Sequence, residues 1–389
     1  MDRRSLVTSA LAAFGLPAAQ GRKFRVAIIG HTGQGNYGHG MDVVWQAFED
    51  IDVVAVADAD EAGLAQAAAR TGAENSYRDY REMLRAHKVD LVAICPRTTG
   101  ERVPMVEAAA SAGAHIYMEK PFAGDLAAAD RLVAAVRQAG VKLQVAHQFR
   151  CSPFTRRVQQ LITTGAIGVI QEIRARGKED RRAGGEDLLV LGSHLCDAMR
   201  LFLGNPQWAS AHVTQDGDEL SPGHVHPASE PVGPVAGNQV AATFAFNDGV
   251  HSYLSSRAAP TTHPYRYSFH ILGSQGAIFI PMGVYPADQG YLLRSPSWMP
   301  LDGQTWEKIP PAADPLGVRA STPLIANALM VADLLQAIQL NRKPACSEED
   351  GRWTIEMISA VYEAQKSRGR VTFPLANRTH PLAQQSPLP

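Results

Sequence analysis

Through the N-terminal part of the chain, short continuous apolar runs alternate with longer stretches in which apolar and polar residues share a helical period. Phe24-Arg25-Val26-Ala27-Ile28-Ile29 is the first such run, and residues 53–57, 90–95, 114–118 and 141–146 repeat the type. Runs of this length, rich in β-branched residues, predict buried strands. Residues 41–48, 101–112 and 126–139 predict helices between them. Strand and helix in alternation predict a parallel sheet with helices on both faces. The pattern changes at Cys151. Strand-like runs at 169–174, 239–246, 249–255, 267–272 and 277–280 follow one another without regular crossover helices, which predicts a large open, mostly antiparallel sheet. Stretches rich in Pro and Gly at 216–237 and 281–315 read as irregular, and helices return at 323–340 and 348–366. At 389 residues the chain exceeds one ordinary core, so two domains are expected.

The first predicted strand runs into Gly30-His31-Thr32-Gly33-Gln34-Gly35-Asn36-Tyr37-Gly38. Glycines there let the backbone turn tightly and approach a pyrophosphate, whose charge sits at the N-terminus of the helix that follows. Gly33, Gly35 and Gly38 match G-x-G-x-x-G by letter but begin three residues after the strand. The frame with Gly30 first, Thr32 second and Gly35 third is preferred, because the turn must directly follow the strand. Gly33 offsets the departure at Thr32, and Gln34 completes the loop. The second strand ends in Asp58, a carboxylate placed to accept from the adenosine ribose hydroxyls and to repel a 2′-phosphate. Strand, glycines, helix, strand and acid in this order predict an N-terminal Rossmann domain, a doubly wound parallel sheet over 21–149, that takes NAD rather than NADP. Residues 150–389 are expected to form a C-terminal α/β domain, an open sheet with a few helices.

Composition narrows the partners. An apolar content of 45% with 19% charged residues is that of a soluble globular protein. A net charge of −1 and a pI near 6.9 give no reason to expect nucleic acid or an anionic membrane surface. Cys95, Cys151, Cys196 and Cys346 are scattered without a C-x-x-C, and His224-Val225-His226 stands in a Pro/Gly loop without a neighbouring Cys or acid, so no metal site is expected. Residues 1–20 have the form of a twin-arginine signal. Arg3-Arg4 precedes a short apolar segment, too short to span a bilayer, and Pro17-Ala18-Ala19-Gln20 offers small residues for cleavage. Export to the periplasm is expected from this segment, with a cytoplasmic protein carrying an uncleaved extension as the alternative.

Glu119-Lys120-Pro121 closes the strand at 114–118. Proline removes a backbone donor and biases the residue before it towards extended geometry, so Lys120 is aimed. Oxidising a secondary alcohol needs a group to take the hydroxyl proton while hydride leaves from carbon, and a lysine or a histidine serves. Positions 187, 190, 194 and 197 share one face of a predicted helix, which places His194 with Asp187 one turn and more before it. His147 and Arg150 follow the last strand of the first domain, at the carboxyl end of the sheet where ligands collect, and substrate contact is expected of both. The basic run from Arg176 to Arg182 reads as a solvated loop.

The glycine turn, Asp58, Val89-Asp90-Leu91-Val92-Ala93-Ile94, Ala112-Gly113-Ala114-His115-Ile116 and Glu119-Lys120-Pro121 together resemble the Gfo/Idh/MocA family, the glucose–fructose oxidoreductase and inositol dehydrogenase group. Gly165-Ala166-Ile167-Gly168, Gly192-Ser193-His194-Leu195-Cys196-Asp197 and Gly273-Ser274-Gln275-Gly276 continue the resemblance over nearly all of the chain after residue 20. It implies hydride transfer between nicotinamide and a sugar or cyclitol, with Lys120 near the reacting hydroxyl and a Lys-Pro bond that is cis in relatives. It also implies Glu119 on the cofactor side and a homodimer or homotetramer built through the C-terminal sheet. Two positions depart from the family pattern. Val190 stands where an aspartate usually precedes the histidine, which leaves Asp187 or Glu186 as the acid partner. Arg102, with Arg97, stands where a histidine is common, and an anionic or polyhydroxyl substrate is a fitting ligand for them.

The activity expected is that of an NAD-dependent oxidoreductase acting on a sugar, glycoside or cyclitol, with Lys120 and His194 handling the proton. Two alternatives remain open at this level. One is a glycoside hydrolase or lyase that recycles NAD through a transient keto-sugar; the other is a non-catalytic dinucleotide-binding sensor.

Overall fold

A computed structural model describes residues 23–259, 263–282, 289–310 and 323–383. The signal-like segment 1–20 and, within the irregular stretch 281–315, residues 283–288 and 311–315 lie outside the described residues. The chain divides into two compact units: 1–151 with 230–232 and 313–352, and 152–229 with 233–312 and 353–389. The first unit thus takes in residues 313–352 as well as those up to 151.

In the first unit six described strands form one parallel sheet in the order β3-β2-β1-β4-β5-β6. They are β1 (Phe24–Ile29), β2 (Ile51–Ala57), β3 (Asn75–Tyr77), β4 (Leu91–Ile94), β5 (His115–Met118) and β6 (Leu143–Val145). Val26 to Ile29, Ala55 to Ala57 and Leu91 to Ile94 are all buried, as expected of strands covered on both faces. Helices α1 (Glu61–Thr71), α2 (Tyr80–Ala86), α3 (Arg102–Ser111) and α4 (Leu126–Ala139) form the crossovers. Local chemistry sets their ends. The Asp125 side chain accepts from the Ala128 N–H at the start of α4, and Gly140 closes it in the left-handed region at φ 67°. The helix expected at 41–48 is replaced by successive turns and a 3-10 turn, Val44–Ala47. Gly38 and Gly40 stand at φ 61° and 80°, outside helical geometry, so no helix propagates from the glycine loop.

The second unit is built on a sheet of ten described strands. β7 is Ile170–Arg176, β8 Trp208–Gln215, β9 Asp218–Glu219, and a small separate hairpin pairs β10 (Val225–Pro227) with β11 (Pro234–Ala236). β12 (Gln239–Ala245), β13 (His251–Arg257), β14 (Ser268–Gly273), β15 (Ala277–Pro281), β16 (Tyr291–Leu293), β17 (Glu307–Lys308) and β18 (Val371–Thr372) follow. The order is β17-β16-β15-β14-β7-β13-β12-β8-β18, with β9 beside β8. Only the β13–β7 pair is parallel, which matches the expected open, mostly antiparallel sheet. Ile173, Phe244, Leu254, Phe269 and Ile271 are buried on one face, while Arg174 and Tyr253 are exposed. Helices α5 (Pro153–Thr163), α6 (Gly185–Val190) and α7 (Gly192–Leu203) belong to this unit, and the Phe202 and Phe269 rings lie 5.9 Å apart between α7 and β14. Helix α8 (Pro323–Gln339) joins the first unit, where the Gln144 side chain donates to the Met330 carbonyl at 2.7 Å. The last helix, α9, is Glu348–Ser367. No described helix is long and apolar enough to cross a membrane.

Candidate active site

β1 ends at Ile29, and the Gly30 N–H donates to the Ala57 carbonyl at 2.9 Å, which keeps the loop start registered on β2. A Cβ on Gly30 would fall 2.1 Å from the Tyr37 ring, and one on Gly35, at φ 91°, would fall 2.4 Å from the Arg97 nitrogen. These two positions exclude any side chain, as backbone close to a ligand loop requires. Gly33 lies at φ 85° in open space. Thr32 is seated by Asp58. Its N–H donates to both carboxylate oxygens at 3.1 and 3.0 Å, and its hydroxyl to Oδ2 at 2.8 Å. Gln34 lends its carbonyl to the Thr98 N–H at 3.2 Å.

Beside this loop, at the carboxyl ends of β1 and β2, lies a cavity of about 240 Å³. Gly30, His31 and Asp58 form one side; Arg78, Tyr80 and Glu101 stand among the other lining residues. The glycine-only approach and the cavity beside it fit the adenosine end of NAD, while Asp58 itself is engaged by Thr32 and by the Asp60 N–H at 3.0 Å. Burial pushes the Tyr80 hydroxyl's pKa up, with the Arg81 charge opposing.

At the end of β5, Lys120 is 6% exposed, and its bond to Pro121 is cis. Its backbone N–H donates to Glu119 Oε2 at 3.0 Å, and Glu119 Oε1 meets His39 Nδ1 at 3.0 Å. Burial would raise the Glu119 carboxyl, but the His39 hydrogen bond and the Lys120 charge outweigh it and hold the group below its usual range. Asn327, from α8, donates to the His39 carbonyl at 2.9 Å and accepts from the Tyr117 hydroxyl at 2.7 Å. The lysine strand, the glycine loop and α8 are thus one hydrogen-bonded assembly.

Arg102, expected at the substrate, is committed to backbone. It is 1% exposed and spends its guanidinium on the carbonyls of Pro96 at 3.0 Å, Thr98 at 3.3 Å and Glu119. Desolvation lowers its pKa to about 10, with the Glu119 charge opposing. Arg97 is held by Glu230 at 3.2 Å. Arg150 is also committed, to the Ala345 carbonyl at 2.9 Å and Asp350 at 3.1 Å, so it braces the turn after β6. His147 follows β6 directly and is wholly buried.

In the second unit the helix expected through 187–197 is broken at Leu191, between α6 and α7, so the four positions do not share one continuous face. His194 lies half-buried in the first turn of α7. Asp187 is wholly buried; its Oδ2 accepts from the Ser256 hydroxyl at 2.6 Å and the Glu179 N–H at 3.1 Å. Its Oδ1 has no hydrogen-bond partner among the described residues. Burial pushes the Asp187 carboxyl up, and the Ser256 hydrogen bond recovers part of that shift. Through Oδ2 this carboxylate holds the loop before α6. Glu186 likewise accepts from the Ser229 hydroxyl at 2.5 Å and N–H at 3.0 Å. The run 176–182 is not simply solvated: Glu179, at φ 57°, is buried between Arg176 at 3.0 Å and Arg266 at 2.7 Å.

Sequence reasoning passed over His31, His39 and Glu101, although the two histidines flank the glycines directly. Their carboxylate partners lie 70 and 80 residues away, and no local pattern points to them.

Residues 24–147 match a family profile described as the GFO/IDH/MocA oxidoreductase family, NAD-binding Rossmann fold, and 155–279 match the GFO/IDH/MocA C-terminal domain. The chain is similar to D-apiose dehydrogenase of Paraburkholderia graminis, 34% identical over 47% of this chain and 51% of that protein. It is also similar to myo-inositol 2-dehydrogenase of Thermotoga maritima, 25% identical over 64% of this chain and 74% of that one. The match thus spans about half the length of the first of these relatives and more of the second. A solved levoglucosan dehydrogenase, in complex with NADH and levoglucosan, shares the fold with a TM-score of 0.75 at 21% identity, covering 91% of this chain and all of that one.

Proposed function

The chain belongs to the GFO/IDH/MocA oxidoreductase family, and we propose that it moves hydride between NAD and a secondary hydroxyl of a sugar, glycoside or cyclitol. One observation carries this reading: the Lys120–Glu119–His39 chain of contacts joins a nearly buried lysine to the glycine loop. When bound, the nicotinamide supplies the hydride acceptor. The protein's own task is the proton. Lys120 takes it from the hydroxyl, at an amine shielded from bulk water, and Glu119 fixes the backbone from which that amine projects. His194 is assigned as the second proton-handling group, and His147 as a substrate contact. The substrate class follows the names of the relatives, which include dehydrogenases of D-apiose, myo-inositol and levoglucosan.

The test is to incubate the protein with NAD and a panel of sugars, glycosides and inositols, following nicotinamide absorbance and chromatographing the product. Stoichiometric NADH supports the dehydrogenase. New product without net NADH moves the assignment to a hydrolase or lyase that recycles its cofactor. That second reading draws on the clasp over the 95–99 loop. There the Thr99 N–H and hydroxyl donate to the carbonyls of Pro231 at 3.2 Å and Val232 at 3.1 Å, which fastens the loop. Neither signal, with NAD bound, leaves a sensor.

Two further assignments rest on sequence and sheet. Residues 1–20 direct twin-arginine export, tested by fusing them to a reporter that is active only after transport. The exposed face of the second sheet, with Arg174 and Tyr253, mediates a homodimer or homotetramer, tested by light scattering of the purified protein.

A further inference from the structure

A dinucleotide loop has two common sources of positive field for the pyrophosphate: backbone N–H groups and the N-terminus of the helix that follows. Here the second source is missing, because residues 32–43 form turns and the 3-10 turn Val44–Ala47 is too short to have a useful dipole. The loop instead carries a histidine at each end. His31 follows Gly30 and lines the cavity beside Asp58; its Nδ1 lies 2.6 Å from Glu101 Oε2. His39 follows Gly38, is half-exposed, and its Nδ1 lies 3.0 Å from Glu119 Oε1. In both rings Nδ1 is committed to a carboxylate and therefore bears a proton. Nε2 has no partner among the described residues in either ring. The same arrangement thus occurs twice on one loop: a carboxylate fixes the ring from behind and leaves the far nitrogen to a ligand.

We propose that His31 and His39 bind the pyrophosphate of the dinucleotide through their Nε2 hydrogens, supplying the charge that a helix N-terminus supplies elsewhere. The inference rests on the dinucleotide reading of the loop. It has a consequence that backbone and dipole contacts lack. With Nδ1–H given to the carboxylate, Nε2 carries a hydrogen only in the imidazolium form; in the neutral form it presents a lone pair to the phosphate. Binding of a phosphate therefore draws protons onto the rings, and affinity is greater when the rings are imidazolium than when they are neutral. The other charged groups facing these rings set the background. Around His31 they are Glu101, Asp58, Asp79, Arg78 and Arg81; around His39 they are Glu119 and the neighbouring Lys120, with the neutral Asn327 holding the His39 carbonyl.

The test is calorimetric titration of the full chain with adenosine, ADP and NADH at about pH 6 and about pH 8.5, in buffers of differing ionisation heat. The wild type is expected to take up protons on binding ADP and NADH but not adenosine, and to lose about tenfold in ADP affinity at the higher pH. His31→Gln and His39→Gln are each expected to weaken ADP about tenfold and to leave adenosine within about twofold. Variants that bind ADP as tightly as the wild type overturn the proposal. So do variants that lose adenosine and ADP equally, which marks a loop-shaping role. Should a variant fail to fold, proton uptake by the wild type still decides, and ADP binding without uptake overturns the proposal. A wild type that binds neither ADP nor NADH sinks the dinucleotide reading itself, a different result from any of these.

Discussion

Glu119 in the first unit and Asp187 in the second are both wholly buried carboxylates at the ends of elements that lead to candidate catalytic residues, yet they are shifted in opposite directions. Glu119 meets His39 and the Lys120 backbone, and the positive charge around it outweighs burial. Asp187 meets a serine hydroxyl and backbone N–H groups, all neutral, so burial wins and the proton is retained more tightly. The sign of the nearest charge, rather than depth, decides whether a buried acid is held ionised. The same contrast separates roles: Glu119 belongs to an assembly with the lysine and the glycine loop, whereas Asp187 secures a loop in front of α6.

That comparison can be broken at several points. Lys120→Met should have the largest effect, lowering kcat by about a thousandfold or more while NAD affinity by titration stays near wild type, because the group acts on the reacting hydroxyl. Retained kcat would remove Lys120 from the chemistry. Glu119→Gln should destabilise the protein by about 3 kcal/mol in urea unfolding, since it leaves buried partners without their counter-charge. A depressed carboxyl contributes stability that is present above its unfolded pKa and is lost as pH falls through the folded one, so this variant should also flatten the acid limb of the stability profile.

Asp187 should show the reverse sign. A raised carboxyl stabilises most below its unfolded pKa, and that contribution is lost as pH rises through the folded value, so Asp187→Asn should flatten the decline between acidic and neutral pH. Asp187→Ala should cost about 2 kcal/mol by orphaning the Ser256 hydroxyl and the Glu179 N–H, with KM changed little in whatever activity remains. An Asp187→Asn variant that lost activity but kept its stability profile would return the residue to the reaction. The smallest effect is expected at Arg102→Lys. A lysine cannot hold three carbonyls in the arginine's fork, so Tm should fall by a few degrees with substrate selectivity unchanged. A switch in preference among sugars would place the residue at the substrate after all.

Much of the architecture follows from local chemistry and was legible in the sequence. The strands at 24–29, 51–57 and 115–118 are mainly apolar runs, buried over 26–29, 55–57 and 116–118 as a doubly covered sheet requires, and α4 spans 126–139 as its periodicity, Asp125 cap and Gly140 stop require. The glycine loop and Asp58 were readable for the same reason: turn, close approach and strand-end acid are encoded within a few tens of residues. Tertiary structure alone decided which polar side chains are spent internally. Arg102 looked available until its fork closed on three carbonyls; Arg150 finds Asp350 200 residues away, His39 finds Glu119 80 away, and Glu179 collects Arg176 from β7 and Arg266 from the turn before β14. The break at Leu191 and the missing helix at 41–48 have the same origin, since helical period sets a preference but packing and left-handed glycines choose the backbone. Hydrophobic pattern is a local property and specifies elements; a charge is defined by what it meets, and the chain folds before that is determined.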